Sequence, residues 1–164
     1  MSKPIQLYRQ TEDILIQWCE DNLPPIEPLE AYNPPFETMQ QHRKDGLCYV
    51  FRDGAQTHNT IFNSRKAIHA YRAWHDTIHC NYNLDFNYDG EMMVARLQKE
   101  LAEEMGIERY DSKLLSLDSM LHIEHYYQWK KHPEYQSQMI RDRLARGLGY
   151  VLAKDYSINP DTSL

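Results

Sequence analysis

From Asn63 onward the chain repeats apolar residues at helical spacing almost to its end, and its punctuation falls where helices stop, at Gly106, Pro133 and Gly147. The spacing predicts helices over about 64–80 behind an Asn63 cap, then 90–105, 112–131 and 133–146. An earlier amphipathic stretch from about Leu7 to Asp21 carries Leu7, Ile14, Leu15 and Trp18 on one face. Between these regions, five of the eight prolines (Pro24, Pro25, Pro28, Pro34 and Pro35) fall in fourteen residues. Proline interrupts helix and ladder alike, so residues 22–45 are expected to form an extended connector. Its Ile26, Leu29, Tyr32 and Phe36 suit a strap lying on the body of the protein. Gly46–Phe51 is the one strand signal, with a hairpin partner expected near Thr60–Phe62. The fold class read from this pattern is mainly α, an irregular helical bundle with a Pro-rich N-terminal strap and at most a small β-hairpin. At 164 residues the chain suits one domain, with a mobile tail over 155–164.

Charge narrows the function classes. A formal net charge of -6 repels phosphate backbones and anionic lipid, so nucleic-acid binding is disfavoured. Arg141, Arg143, Arg146, Lys130 and Lys131 read as solvated helix faces. No apolar run reaches the roughly 20 residues of a membrane helix, and MSKPIQLYRQ lacks a signal-peptide core, which gives a cytoplasmic expectation. No phosphate-binding glycine loop and no nucleophile-elbow motif occurs. The three cysteines, Cys19, Cys48 and Cys80, have no CxxC spacing, so any metal must rest on nitrogen and oxygen ligands.

Eight histidines in an acidic chain supply those ligands. At about 100° per residue, His75 and His79 fall in the apolar stripe of Ile68, Tyr71 and Ile78. They form an i,i+4 pair, a spacing that lets two imidazoles reach one cation. Glu91 and Gln98 border the Val94–Leu97–Leu101 stripe of the next helix. On the third, Glu124, His125 and Gln128 share the face of Leu117 and Leu121. Buried carboxylates must be bonded, protonated or metal-bound, so three helices turning such groups inward imply a shared polar centre.

The expected ligand set is His75, His79, Glu91 and one of His125 or Glu124, holding a divalent metal, with zinc favoured over iron or manganese. Asp76 is the candidate general base or imidazole orienter, and Arg72, Gln98, Gln128 and whichever of the alternatives stays unbound are candidate supporting groups. His75–His79 is a near match to HExxH with the shorter Asp in place of Glu, which argues against a peptidase. His42, His58, His69 and His132 read as ordinary residues, and His122 as intermediate, with Asp118 one turn away.

The stretch Tyr71–His79, Phe86, Gly90–Glu91 and Val94–Ala95 resembles an HDxxH…GE pattern of uncharacterised phage-associated helical proteins. That resemblance implies a phage-type setting, hence a host cytoplasm, with His75, Asp76, His79 and Glu91 as the shared core. A second ordering, an upstream His42 or His58, then His75–Asp76, then Asp118, resembles the HD nucleotide phosphohydrolases and implies metal-assisted phosphate ester hydrolysis. The favoured reading is a metal-dependent hydrolase, or an oxygenase if the metal is iron, with a small-molecule or protein partner that the sequence does not identify. A non-enzymatic reading is an acidic accessory protein that binds a host protein through the strap, with Tyr32 and Phe36 at the contact.

Overall fold

A computed structural model describes residues 5–160 apart from Ala55. Among these the chain forms α1 (Arg9–Asn22), β1 (Ile26–Leu29), α2 (Phe36–Lys44), β2 (Cys48–Phe51), α3 (Arg65–Tyr82), α4 (Tyr88–Glu104), α5 (Arg109–Trp129), α6 (Gln136–Arg146) and α7 (Leu148–Leu152). The mainly α expectation holds, and no described helix is long and apolar enough to cross a membrane.

Helix α3 is the central element. It packs against α1, α4 and the two strands, while α4 lies along α5. Its buried Ala67, Ala70, Ala73 and Trp74 let α1 and the sheet approach closely, with Leu15 and Val50 fully enclosed. Its start is fixed by Ser64, whose Oγ accepts from the Ala67 N–H at 3.1 Å, so the cap is Ser64 and not Asn63. Such a cap is worth ~1 kcal/mol. Asn63 instead donates its backbone N–H to Glu12 Oε2 at 2.9 Å, and its side chain reaches the Leu7 carbonyl at 2.9 Å. The buried Glu12 thereby ties α1 to the head of α3.

Three expectations are corrected. The connector 22–45 is not extended throughout, because Phe36–Lys44 forms α2 directly after Pro34–Pro35. Proline is compatible with a helix entry, and Phe36 and Met39, three residues apart, bury the same face. The strand partner of Cys48–Phe51 is Ile26–Leu29, in parallel register from Ile26↔Cys48 to Leu29↔Phe51, with α2 as the crossover. Thr60–Phe62 takes no part in the sheet, since Ile61 and Phe62 are spent in the core. The tail is ordered at least as far as Tyr156, which is fully buried, while 161–164 lie outside the described residues. The Tyr156 carbonyl accepts from the N–H groups of Glu134 and Tyr135 at 2.9 and 3.0 Å, which delays α6 to Gln136.

Candidate metal centre

His75 and His79 project from adjacent turns of α3 toward Glu91 on the first turn of α4. Glu91 Oε2 lies 3.0 Å from His75 Nε2 and 3.1 Å from His79 Nε2, and the two nitrogens are 3.2 Å apart. Among the described residues this is the one group of three histidine, cysteine or carboxylate side chains that can converge on one ion.

The loop between α3 and α4 sets this arrangement. Asn83 ends α3 in the left-handed region at φ 52°, a conformation asparagine tolerates. Leu84 then donates its N–H to the His79 carbonyl at 2.9 Å, and its own carbonyl lies 2.7 Å from His79 Nδ1. A carbonyl cannot donate, so Nδ1 carries the hydrogen and neutral His79 presents a lone pair at Nε2. The ring sits against Phe86 (4.9 Å between centroids) and Phe36 (6.3 Å), so α2 of the strap covers one side of the ligand. Asn87 caps α4 by accepting from the Gly90 N–H at 2.8 Å. A Cβ at Gly90 would lie 2.0 Å from the Asp85 carbonyl oxygen, so only glycine lets the loop close onto α4 and bring Glu91 over α3.

Proton accounting leaves the cluster one hydrogen short when both imidazoles are neutral. His79 Nε2 and Glu91 Oε2 are both acceptors, 3.1 Å apart. One hydrogen on His75 Nε2 cannot serve both well, so either an added proton or a metal must stand between them. Burial works against protonating His75, but the Glu91 hydrogen bond and charge more than offset it and raise its pKa. Burial would likewise raise the Glu91 carboxyl, yet the hydrogen bond and charge of His75 foremost hold it well below the usual range. The observed spacings fall between the ~3.0 Å of an octahedral face and the ~3.3 Å of a tetrahedral edge at ordinary bond lengths.

The cluster opens on a cleft of about 260 Å³ lined by Asp76 and Arg72 of α3, Asp118, Ser119 and His122 of α5, and apolar Phe51, Phe62 and Ile123. Asp76 thus shares the cleft with His75 and Glu91, and burial raises its pKa against the pull of His75 and Arg43. Asp118 is buried, its Oδ1 has no hydrogen-bond partner, and burial lifts its pKa to about 7 against Arg72 and His75. Arg72 is committed, since Nη1 donates to the Phe51 and Asp53 carbonyls and its guanidinium lies 5.6 Å over the Phe51 ring. His122 is bonded to His132 at 3.0 Å, and burial, then His132 and Arg72, depress its pKa to about 3.

Several expected site residues lie elsewhere. His125 is not part of the cluster, because its Nδ1 faces the Lys131 carbonyl at 2.8 Å and its Nε2 accepts the Tyr156 N–H at 2.8 Å. Glu124 accepts the Tyr88 hydroxyl, and Gln128 is exposed. Gln98 is fully buried near His75 and Tyr71, with neither Nε2 nor Oε1 in a hydrogen bond. His42 bonds the Tyr32 hydroxyl at 3.0 Å, and His58 is exposed. The Tyr71 hydroxyl meets the Leu115 carbonyl at 3.0 Å and the Ser119 hydroxyl, which occupies Ser119. Asp118, a candidate ligand in the sequence only through the phosphohydrolase ordering, lines the cleft, while the Leu84 carbonyl has no signal in any residue identity. Comparison with protein-family models, curated proteins and solved structures returned no match, so the chemistry of the centre is read from its own atoms.

Proposed function

We propose that His75, His79 and Glu91 bind a divalent metal and that the centre performs metal-assisted hydrolysis. The convergence of two imidazole nitrogens and a carboxylate oxygen within 3.0–3.2 Å, with one imidazole fixed so that its lone pair opposes the carboxylate, carries this reading. Three protein ligands beside a cleft leave a coordination position for water or substrate, the arrangement of a catalytic rather than a structural site. The ion would polarise a substrate oxygen and lower the pKa of water. The Leu84 carbonyl holds His79 in the required tautomer, and Asp76, lining the same cleft, serves as general base.

Zinc is the favoured metal. Iron(II) is the second reading, because spacings on the octahedral side of the range also suit a two-histidine, one-carboxylate face with open positions, which supports oxidation. Elemental analysis of untagged protein, followed by titration of the apoprotein with zinc and with iron(II) in the absence of oxygen, separates the two. Retention of zinc with hydrolytic turnover supports the first, and failure to retain either ion overturns both. The phosphohydrolase ordering draws support from Asp118 lining the cleft with His75 and Asp76. Its upstream ligand lacks support, with His42 bonded to Tyr32.

A further inference from the structure

The cleft walls carry a charge pattern that bears on what can enter. Glu91, Asp76 and Asp118 contribute three carboxyl groups against one guanidinium. That guanidinium is turned to the end of β2, where Arg72 Nη1 serves two backbone carbonyls. His122, the remaining basic group of the wall beside the ligand His75, is held neutral by burial and by its neighbour His132. A bound divalent ion would therefore be balanced by Glu91 and Asp76, leaving a phosphate dianion one guanidinium whose Nη1 is already given to backbone carbonyls. The rest of the wall combines apolar Phe51, Phe62, Ile68 and Ile123 with polar Thr60, Ser119 and Gln136. This pattern fits a small uncharged molecule with an apolar part.

Asp118 adds a chemical role. It sits on α5, faces the cleft, is 5% exposed, and keeps Oδ1 without any hydrogen-bond partner. A buried carboxyl left unpartnered is costly as an anion and far less so as an acid. No cysteine lines the cleft, and its Ser119 is occupied by Tyr71.

Resting on the metal-hydrolase reading above, we propose that the cleft hydrolyses a small uncharged carbonyl compound, an amide or ester, with Asp118 donating the proton to its leaving atom. Water adds its oxygen to the carbonyl carbon and gives a proton to Asp76. The bond from that carbon to the leaving nitrogen or oxygen breaks as the Asp118 proton passes to it. Substrate and one water become a carboxylic acid and an amine or alcohol, and the proton on Asp76 returns to Asp118 through solvent.

The test uses the full chain loaded with zinc and titrated calorimetrically with benzamide, an uncharged amide with an apolar ring, and with inorganic phosphate. The expected result is benzamide binding at least about tenfold tighter than phosphate. Asp118→Ala should weaken the benzamide by about tenfold without changing zinc content, and Asp118→Asn, which keeps a donor and the side-chain volume, should restore most of it. Phosphate binding tighter than benzamide, or full probe affinity in Asp118→Ala, overturns the proposal while leaving the metal site standing. Failure to load zinc overturns the metal-hydrolase reading and this one with it. Asp118→Asn also guards against misfolding, since replacing an unpartnered carboxyl should leave stability equal or higher.

Discussion

His79 and Leu84 hold each other at two points: the Leu84 N–H donates to the His79 carbonyl at 2.9 Å, and His79 Nδ1–H donates to the Leu84 carbonyl at 2.7 Å. The same contact that terminates α3 therefore fixes the tautomer and orientation of a candidate ligand. Helix termination and site chemistry share one residue pair.

Metal binding should be visible as stability. At a free zinc concentration 100-fold above Kd, linkage supplies ~2.7 kcal/mol, which for a domain of this size raises Tm by roughly 5–10 °C. Thermal unfolding with and without zinc measures this. A Tm unchanged by zinc at saturating concentration contradicts the proposal.

Gly90→Ala should damage the centre without touching a ligand. Its Cβ would overlap the Asp85 carbonyl, and backbone must shift to relieve the clash. The expected cost is ~1–3 kcal/mol in urea unfolding, with zinc affinity reduced by about tenfold or more as Glu91 moves. Wild-type zinc affinity in Gly90→Ala would show that the close loop is irrelevant to Glu91 placement.

His125 belongs to the tail anchor. His125→Ala leaves the buried Tyr156 N–H without its acceptor and should cost ~1–3 kcal/mol while zinc stoichiometry stays unchanged. His42→Ala should likewise retain zinc, because His42 serves Tyr32. Loss of zinc in either variant, measured on folded protein, would restore the corresponding rejected ligand.

These assignments indicate how far the sequence carries. Helical periodicity gave α1 and α3 through α6 within a few residues, and the inward faces of His75, His79 and Glu91 were legible because direction around a helix follows from spacing. Which height along the axis meets the neighbouring helices does not. His125 shares the face of Asp118 but sits seven residues, about 10.5 Å, farther along α5, beyond the cleft and under Tyr156. The parallel β1–β2 pairing and the covering role of Phe36 depend on contacts between distant segments, for which a Pro-rich stretch leaves no periodic signal. The His79–Leu84 bond uses a backbone carbonyl, which no residue identity advertises.

His122 imposes a pH dependence on the apoprotein. Its folded pKa, depressed to about 3, lies below the ordinary histidine value of 6.5. The unfolded chain binds the extra proton between these values, so the His122 contribution to stability is intact above about pH 6.5 and is lost as pH falls toward 3. Asp118 has the opposite sign: its pKa raised from 3.8 to about 7 means stability falls as pH rises through that window. His122→Gln should flatten the acid-side loss, and Asp118→Asn should stabilise most above pH 7. Urea midpoints of the two variants across pH 4–8 check both slopes. A wild-type slope in His122→Gln would contradict the neutral assignment.

Elemental analysis of protein purified without an affinity tag, wild type beside His79→Ala, tests the metal centre most directly. The expected result is about one divalent ion per wild-type chain and none above background in the variant. An ion-free wild type that also takes up no added zinc, or a variant that keeps full occupancy, would contradict the assignment of His75, His79 and Glu91 as the site.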